Sequence, residues 1–195
     1  GGGHTWAENS RENKLTPWSN DPVSDSPGEI IYIRDENTGE VWSPTPLPVR
    51  EKESYTIRHG LGYSSFHHQS HGIGQELTVF VPPEDPVKIS LLKLENQGAE
   101  KRKLMITYYL KPVLGVSEQV TQQFITSEFL REKETILIRN SYNHDFSGRV
   151  AFVSSSAPVF SFTADEREFF GDVGSLAEPQ ALKREKLSGS LIPGE

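Results

Sequence analysis

Along most of the chain, short stretches of alternating apolar and polar residues are separated by turn-forming residues. Leu77, Val79 and Val81 share one face of such a stretch, as alternate residues of a β-strand do. The pattern predicts strands at 30–33, 40–42, 54–59, 63–71, 75–81, 87–95, 103–110, 121–129, 135–141 and 149–154. Many short strands with frequent Pro, Gly, Asn and Asp turns indicate an all-β fold, either an antiparallel β-sandwich or a barrel.

Helix is scarce in this pattern. Thr163 and Glu166 have the spacing of a capping box, which predicts one short helical turn that ends at Gly171. Pro179 is predicted at the first position of a second short helix, which would run to Leu187. The sequence therefore predicts one or two short helices beside the strands.

The first 28 residues differ from the rest of the chain. They are rich in polar residues, Pro and Gly, show no clear periodicity, and contain Trp6 and Trp18. Two tryptophans are unusual for a plain linker. We therefore predict an irregular aromatic arm at 1–28, packed on a single sandwich domain at 29–195.

Composition limits the function more than it identifies it. The 195 residues carry a net charge of −7 and include no cysteine. The acidic balance argues against nucleic acid as a partner, and disulfides, thiolate zinc sites and cysteine nucleophiles are excluded. The sequence contains no nucleotide-binding motif and no apolar run near the roughly 20 residues of a membrane span. We expect no cofactor and no direct membrane insertion, and because the chain begins with GGG rather than Met, we interpret it as a piece of a longer protein.

Four histidines, His59, His67, His68 and His71, raise the question of a metal site. His67 and His71 would share one face of a strand but lie about 13 Å apart along it, too far to bind one ion. The sequence thus favours solvated or sugar-facing histidines, and no metal site is expected.

Asp21 and Asp25 are the most evident pair of carboxylates, and glycoside hydrolysis uses two such groups about 5–10 Å apart. Both also lie in typical turn sequences, NDP and DSPG, where the side chain of Asp bonds to its own backbone. We favour the turn role.

Aromatic side chains with polar neighbours are better candidates for a carbohydrate-binding site than the carboxylate pair. Sugars present apolar C–H faces that stack on flat rings, while their hydroxyl groups need amide, carboxylate or guanidinium partners. The tryptophans of this sequence could equally be packed side chains that fill the ends of a sandwich. The candidates for carbohydrate or interface contacts are Trp6, Asn9, Arg11, Trp18, Asn20, Asp21 and Trp42.

Several runs of sequence are distinctive enough to indicate a known family. The most specific runs are GGGHTWAENSREN (1–13), LTPWSNDPVSD (15–25), GEIIYIRD (28–35) and VWSPT (41–45). Further runs are GLGY (60–63), VFVP (79–82), LKLEN (92–96), TYYL (107–110) and REFFG (167–171). Together they resemble the N-terminal supersandwich domain of glycoside hydrolase family 94, especially the phosphorylase-like region of cyclic β-1,2-glucan synthases. Cellobiose and chitobiose phosphorylases are more distant relatives.

The resemblance implies a supersandwich-type fold and a non-catalytic role. In this family an (α/α)₆ barrel supplies the general acid, inorganic phosphate is the nucleophile, and the sandwich packs on the barrel and lends loops to the sugar-binding end. The implied partners are a β-glucan or oligosaccharide, the barrel of the parent chain, and a second copy in a homodimer. A bacterial parent at the cytoplasmic side of the inner membrane is also implied, with this piece soluble on composition.

Three functions remain open at this point. The chain is an ancillary carbohydrate-binding domain, a structural docking or oligomerisation module that meets no sugar, or a free-standing glycoside hydrolase that uses Asp21 and Asp25. Trp6, Trp18 and Trp42 separate the first two: one exposed concave strip favours sugar contact, and a flat apolar patch favours docking. We expect the first function, with no reaction catalysed by this chain alone.

Overall fold

The computed structural model describes residues 3–19, 21, 23 and 26–191. Contacts within the chain divide it into two compact units. Unit 1 contains Glu29–Tyr109 together with the first three residues, and unit 2 contains His4–Gly28 and Leu110–Glu195. The N-terminal segment therefore groups with the C-terminal part of the chain, Leu110–Glu195, while the predicted division into an arm and one sandwich stays a prediction.

Unit 1 consists of two β-sheets. A three-stranded sheet has the order β2-β1-β7, and a four-stranded sheet has the order β3-β4-β5-β6. The hairpins β3-β4, β4-β5 and β5-β6 are antiparallel, with Phe66 opposite Leu77 and Leu77 opposite Leu92. The strands are β1 (Glu29–Asp35), β2 (Val41–Trp42), β3 (Thr56–Gly60), β4 (Tyr63–Ser70), β5 (Ile73–Phe80), β6 (Ile89–Asn96) and β7 (Leu104–Leu110).

The core of unit 1 lies between its two sheets. Ile33 of β1, Trp42 of β2 and Ile73 of β5 are almost fully buried, and they form one cluster with the partly buried Leu92, Leu94 and Leu104. Side chains alternate between the two faces of a strand, so only every second residue of β5 reaches this core. The alternation of apolar and polar residues in the sequence therefore determines which face of a strand packs into this core.

Asp35 closes the turn between β1 and β2. Its Oδ1 accepts hydrogen bonds from the backbone N–H groups of Asn37 at 2.7 Å and Thr38 at 3.3 Å, and Gly39 has a φ of 77°. The guanidinium of Arg102 donates to Oδ2 of the same carboxylate through Nε, at 2.6 Å, and through Nη2. A single buried side chain therefore fixes a turn and pairs with a distant cation.

Unit 2 contains the third sheet, with the order β10-β9-β8. Its strands are antiparallel, with Ser127 opposite Ile138 and Val153 opposite Ile136. Two short helices, α1 (Glu118–Thr121) and α2 (Glu166–Phe170), accompany β8 (Ile125–Leu130), β9 (Thr135–Asn140) and β10 (Ala151–Ser154). The structure is predominantly antiparallel β, which confirms the all-β sandwich prediction.

The strand predicted at 121–129 is wrong in its first half. The segment before β8 forms α1 and then a 3₁₀ turn at Gln122–Phe124. Thr121 is buried, and its backbone N–H and hydroxyl both donate to the carbonyl of Ser117. These local hydrogen bonds and the burial of Thr121 outweigh its preference for a strand.

Both helix predictions need correction at their ends. Asp165, not Thr163, caps α2, because its carboxylate accepts from the N–H of Arg167 at 2.8 Å. The second predicted helix is only a 3₁₀ turn, Gln180–Lys183, after which Arg184 is extended. The N–H of Leu187 donates to the hydroxyl of Ser161 instead of continuing the helix.

Candidate functional site

The described part of the N-terminal segment forms a small antiparallel hairpin. Trp6 and Lys14 are bridge partners. The N–H of Ala7 donates to Asn13 O at 3.1 Å, and the N–H of Asn13 donates to Asn9 O at 3.0 Å. Aromatic residues that looked irregular in the sequence are therefore held by regular backbone pairing.

Asn9 and Arg11 lie at the tip of this hairpin. The side-chain oxygen of Asn9 accepts from the backbone N–H groups of Arg11 at 2.9 Å and Glu12 at 3.0 Å. The carboxamide oxygen of Asn9 therefore holds the turn. Arg11 is exposed, and the turn sets its position at the tip of the hairpin.

Lys14 of the hairpin is the bridge partner of Trp6, and its ammonium group also contacts the ring of Trp18. Trp6 is 54% exposed, and its bridge partner Lys14 projects from the same face, as directly opposed residues do. Nζ of Lys14 lies 5.3 Å from the ring centroid of Trp18, which is cation–π distance. The Nε1–H of Trp18 donates to Ser10 O at 3.0 Å, so this ring has a fixed orientation. We call Trp6, Lys14 and Trp18 the indole row.

The indole row is anchored to the rest of unit 2. Lys14 also bridges to Gly115, and the N–H of Val113 donates to Leu15 O at 2.9 Å. Thr16 is fully buried, and its hydroxyl accepts from the N–H of Thr5 at 2.8 Å. Backbone pairing of residues 14–15 with Val113 and Gly115 therefore anchors the hairpin along one of its strands.

Of the predicted residues Asn20, Asp21 and Asp25, the structure describes only Asp21. Asp21 is exposed, and its Oδ1 accepts from the N–H of Val23 at 2.8 Å, which is the turn geometry that the sequence favoured. Asn20 and Asp25 lie outside the described residues. The alternative of a hydrolase based on Asp21 and Asp25 stays a prediction.

Trp42 does not belong to an exposed aromatic surface. Its side chain is fully buried in the core of unit 1, where Nε1 donates to Oε1 of Gln75 at 2.9 Å and the ring stacks on His71 with centroids 4.6 Å apart. A buried indole with its donor satisfied has no face left for a sugar. Its assignment as a contact residue is corrected to a core role.

The histidines occupy different environments. His59 is exposed and contacts Ser64, and His67 lies 4.0 Å from a carboxylate oxygen of Glu76. His68 is fully buried, and His71 follows the end of β4 in a turn with a φ of 52°. This turn places His68 and His71 against the same carboxylate, Glu51, which the strand assumed in the sequence would not do.

Glu51 carries the most heavily contacted carboxylate of this region. Burial alone would raise its pKa, but hydrogen bonds from His71 and His68 outweigh that effect and hold the pKa of the Glu51 carboxyl below its ordinary value. Glu51 was not predicted as a site residue, because the run REKE (50–53) has the composition of a solvated, charged segment. Lys14 was not predicted either, although it lies close to Trp18 in the sequence.

Comparison with known families identifies the class of this chain. Residues 1–194 match the family described as "Glycosyl hydrolase 94, supersandwich domain". The chain belongs to this family, as the runs around Trp6, Trp18 and Trp42 indicated.

Individual relatives come from both glucan synthases and phosphorylases. Cyclic β-(1,2)-glucan synthase NdvB of Rhizobium meliloti (strain 1021) is 36% identical over 195 residues, which are 100% of this chain and 7% of that protein. Solabiose phosphorylase of Paenibacillus borealis is 30% identical over 85% of this chain and 22% of its own length. N,N'-diacetylchitobiose phosphorylase of Vibrio furnissii is 26% identical over 97% of this chain and 24% of its own. The chain thus spans less than a quarter of the length of these relatives.

No helix among the described residues is long and apolar enough to cross a membrane.

Proposed function

We propose that this chain is an ancillary carbohydrate-binding domain that supplies sugar contacts and a packing surface to the catalytic (α/α)₆ barrel of a β-glucan synthase or phosphorylase. The family match and the names of the relatives support a role in sugar processing. The small share of each relative that the chain covers supports a partner domain in a longer protein. A homodimer and a parent at the bacterial inner membrane are parts of the same proposal.

The indole row carries the sugar-binding part of the proposal. Trp6 is 54% exposed, Trp18 is held by its bond to Ser10, and Lys14, the bridge partner of Trp6, places a hydrogen-bond donor beside the ring of Trp18. Indole faces stack on the C–H faces of pyranose rings, and an ammonium group donates to their hydroxyl groups. Because backbone pairing with Val113 and Gly115 anchors the hairpin along one strand, little order has to be gained on binding.

Exposed apolar side chains on unit 2 favour docking as the second candidate. Val116, Val120, Tyr142, Phe152 and Phe160 are each about half exposed or more. Large exposed apolar patches mark surfaces that bind another protein. In this reading the barrel covers these residues and the indole row meets no sugar.

Titration with β-1,2-gluco-oligosaccharides distinguishes the two functions. We expect saturable heat in calorimetry with the 195-residue chain, and weaker heat with cello-oligosaccharides. Trp6→Ala and Trp18→Ala should each weaken binding about 30-fold, as the loss of an aromatic hot spot does. Trp18→Phe keeps a stacking face and should retain most of the affinity.

Phe160→Ala is the matched control, because Phe160 is an exposed aromatic residue of unit 2, 62% exposed, outside the hairpin. An equal loss in Phe160→Ala and Trp6→Ala would contradict a site at the indole row. No response up to millimolar sugar, weaker than about −4 kcal/mol, would favour the docking function.

A further inference from the structure

A group of nitrogen and oxygen ligands lies in unit 1, whereas the indole row belongs to unit 2. The side-chain ligand atoms of Glu51, Glu53 and His68 all lie within 4.8 Å of one another. Glu51 and Glu53 come from the segment before β3, and His68 comes from β4. We call these three residues the Glu51 cluster.

The orientation of His68 is the feature that points to a ligand. Its side chain is fully buried, and its ring stacks on Tyr55 with centroids 3.7 Å apart and planes 5° apart. Nδ1 lies 3.2 Å from the carbonyl oxygen of Ser54, which can only accept, so Nδ1 carries the hydrogen. The other ring nitrogen, Nε2, lies 3.5 Å from Oε2 of Glu51.

Nε2 of His68 and Oε2 of Glu51 can share either a proton or a cation. Histidines that bind metals regularly donate their other ring N–H to a backbone carbonyl or carboxylate, which fixes the tautomer. The bond from His68 to Ser54 is of this kind. It is independent of the carboxylates of the Glu51 cluster.

The surroundings also orient Glu51. Nε2 of His71 lies 3.1 Å from Oε2 of Glu51, and Nδ1 of His71 lies 3.1 Å from Oε2 of Glu40. Gln75, 5% exposed, is opposite His68 on β5, and its Nε2 has no hydrogen-bond partner among the described residues. A donor of this kind suits a water or anion held by a bound cation.

We propose that Nε2 of His68 and carboxylate oxygens of Glu51 and Glu53 form a binding site for a divalent cation of the Zn²⁺ type. One imidazole and two carboxylates match the mixed nitrogen and oxygen ligands of Zn²⁺, which binds three protein groups and leaves a fourth position for water. Ca²⁺ and Mg²⁺ prefer oxygen ligands alone. The exposed carboxylate of Glu53 gives solvent access to the site.

Calorimetric titration of the metal-free 195-residue chain with ZnCl₂ tests the site. We expect one Zn²⁺ per chain, weaker binding of Ca²⁺ and Mg²⁺, and a thermal midpoint that rises with Zn²⁺ and falls again with EDTA. Stabilisation follows because the ion binds the folded chain in preference to the unfolded one. Glu53→Gln should weaken Zn²⁺ binding by at least about tenfold. Because Glu53 is exposed, this variant is expected to fold even where His68→Gln does not.

Glu76→Gln is the matched control, because Glu76 also lies beside a histidine, at 4.0 Å from His67, on the same sheet. It should leave the affinity for Zn²⁺ unchanged. Absence of stoichiometric binding, equal affinity for Ca²⁺, or an equal loss in Glu76→Gln and Glu53→Gln would each overturn the proposal. The cluster would then be a network of histidines and carboxylates that share protons.

Discussion

The environment of a side chain decides what its chemistry contributes, and Asp35 is a clear example. Burial would raise the pKa of the Asp35 carboxyl, but hydrogen bonds from Arg102 and from the N–H groups of Asn37 and Thr38 outweigh it and lower the pKa. A carboxyl whose pKa is lowered on folding stabilises the native state while it is ionised. Its contribution is present above the unfolded pKa, about 3.9, and is lost as the pH falls through the folded pKa.

Asp35→Asn should therefore destabilise the chain by about 3 kcal/mol at pH 7, the cost of breaking a buried ion pair. Asparagine keeps an oxygen for the turn but leaves Arg102 without its anion. Urea unfolding followed between pH 7 and pH 2 checks this. The difference between wild type and variant should shrink only below about pH 4.

Glu128→Gln is the control for this measurement, because the pair Arg139–Glu128 is exposed, at 43% and 56%. Its loss should change stability by less than about 1 kcal/mol at any pH. A difference between wild type and Asp35→Asn that stayed constant down to pH 2 would contradict the role of the charge.

The same residue type takes opposite roles within this chain. Trp6, Trp18 and Trp42 each stand among polar neighbours in the sequence, but Trp42 is a core residue and Trp6 is exposed. Trp42 lies in the core because it pairs opposite Ile33 on β1, and the residues next to Trp42 in the chain do not indicate this.

At the scale of elements, the turn between β4 and β5 determines which histidines meet. His71 and Gly72 both have positive φ, 52° and 72°, as a two-residue hairpin turn requires. Had β4 continued through residue 71, as the sequence predicted, His71 would lie on the opposite face from His68. The turn redirects it towards Glu51.

Gly72→Ala should destabilise the chain by about 1 kcal/mol, because a side chain at positive φ is strained. The nearest atom to an added Cβ is Nη1 of Arg102 at 3.6 Å, so strain in the backbone and not a clash supplies the cost. Thermal and urea unfolding measure the effect.

Gly148→Ala is the control, since the added Cβ meets nothing within 4 Å and the backbone φ is ordinary. It should be neutral or slightly stabilising. An equal change in the two variants would show that the turn is not strained by alanine.

At the scale of the whole molecule, the edges of the sheets bear on assembly. β10 is an edge of the three-stranded sheet, and it carries Phe152, 50% exposed. Val150 and Phe160, also exposed, come shortly before and after β10 in the chain. Unpaired apolar edges favour pairing with a second chain.

The isolated chain should therefore self-associate with increasing concentration, and Phe152→Lys should shift it to monomer because a charge on an edge strand opposes pairing. Sedimentation velocity over a concentration series measures this. Val173→Lys is the control, because Val173 is 89% exposed and lies outside the strands. Equal effects of the two lysines, or a monomer at every concentration, would contradict association through β10.

The sequence by itself determined the class of fold, the family and most strands of this protein. Alternation with period two and frequent turn residues are local signals, and they remain visible without neighbours. The runs around Trp6, Trp18 and Trp42 identified the family for the same reason. Local signals failed at α1 and at the ends of the helices, where the burial of Thr121 and the capping bond of Asp165 decided the outcome.

Only the tertiary structure decided which side chains act together. Glu51, His68 and His71 meet because a turn and a strand pairing bring distant segments into contact, and Lys14 joins Trp6 and Trp18 because a hairpin forms. Burial likewise removed Trp42 from the candidate surface. Periodicity reports which face of a strand is apolar, whereas a site depends on contacts between segments that are far apart in the chain.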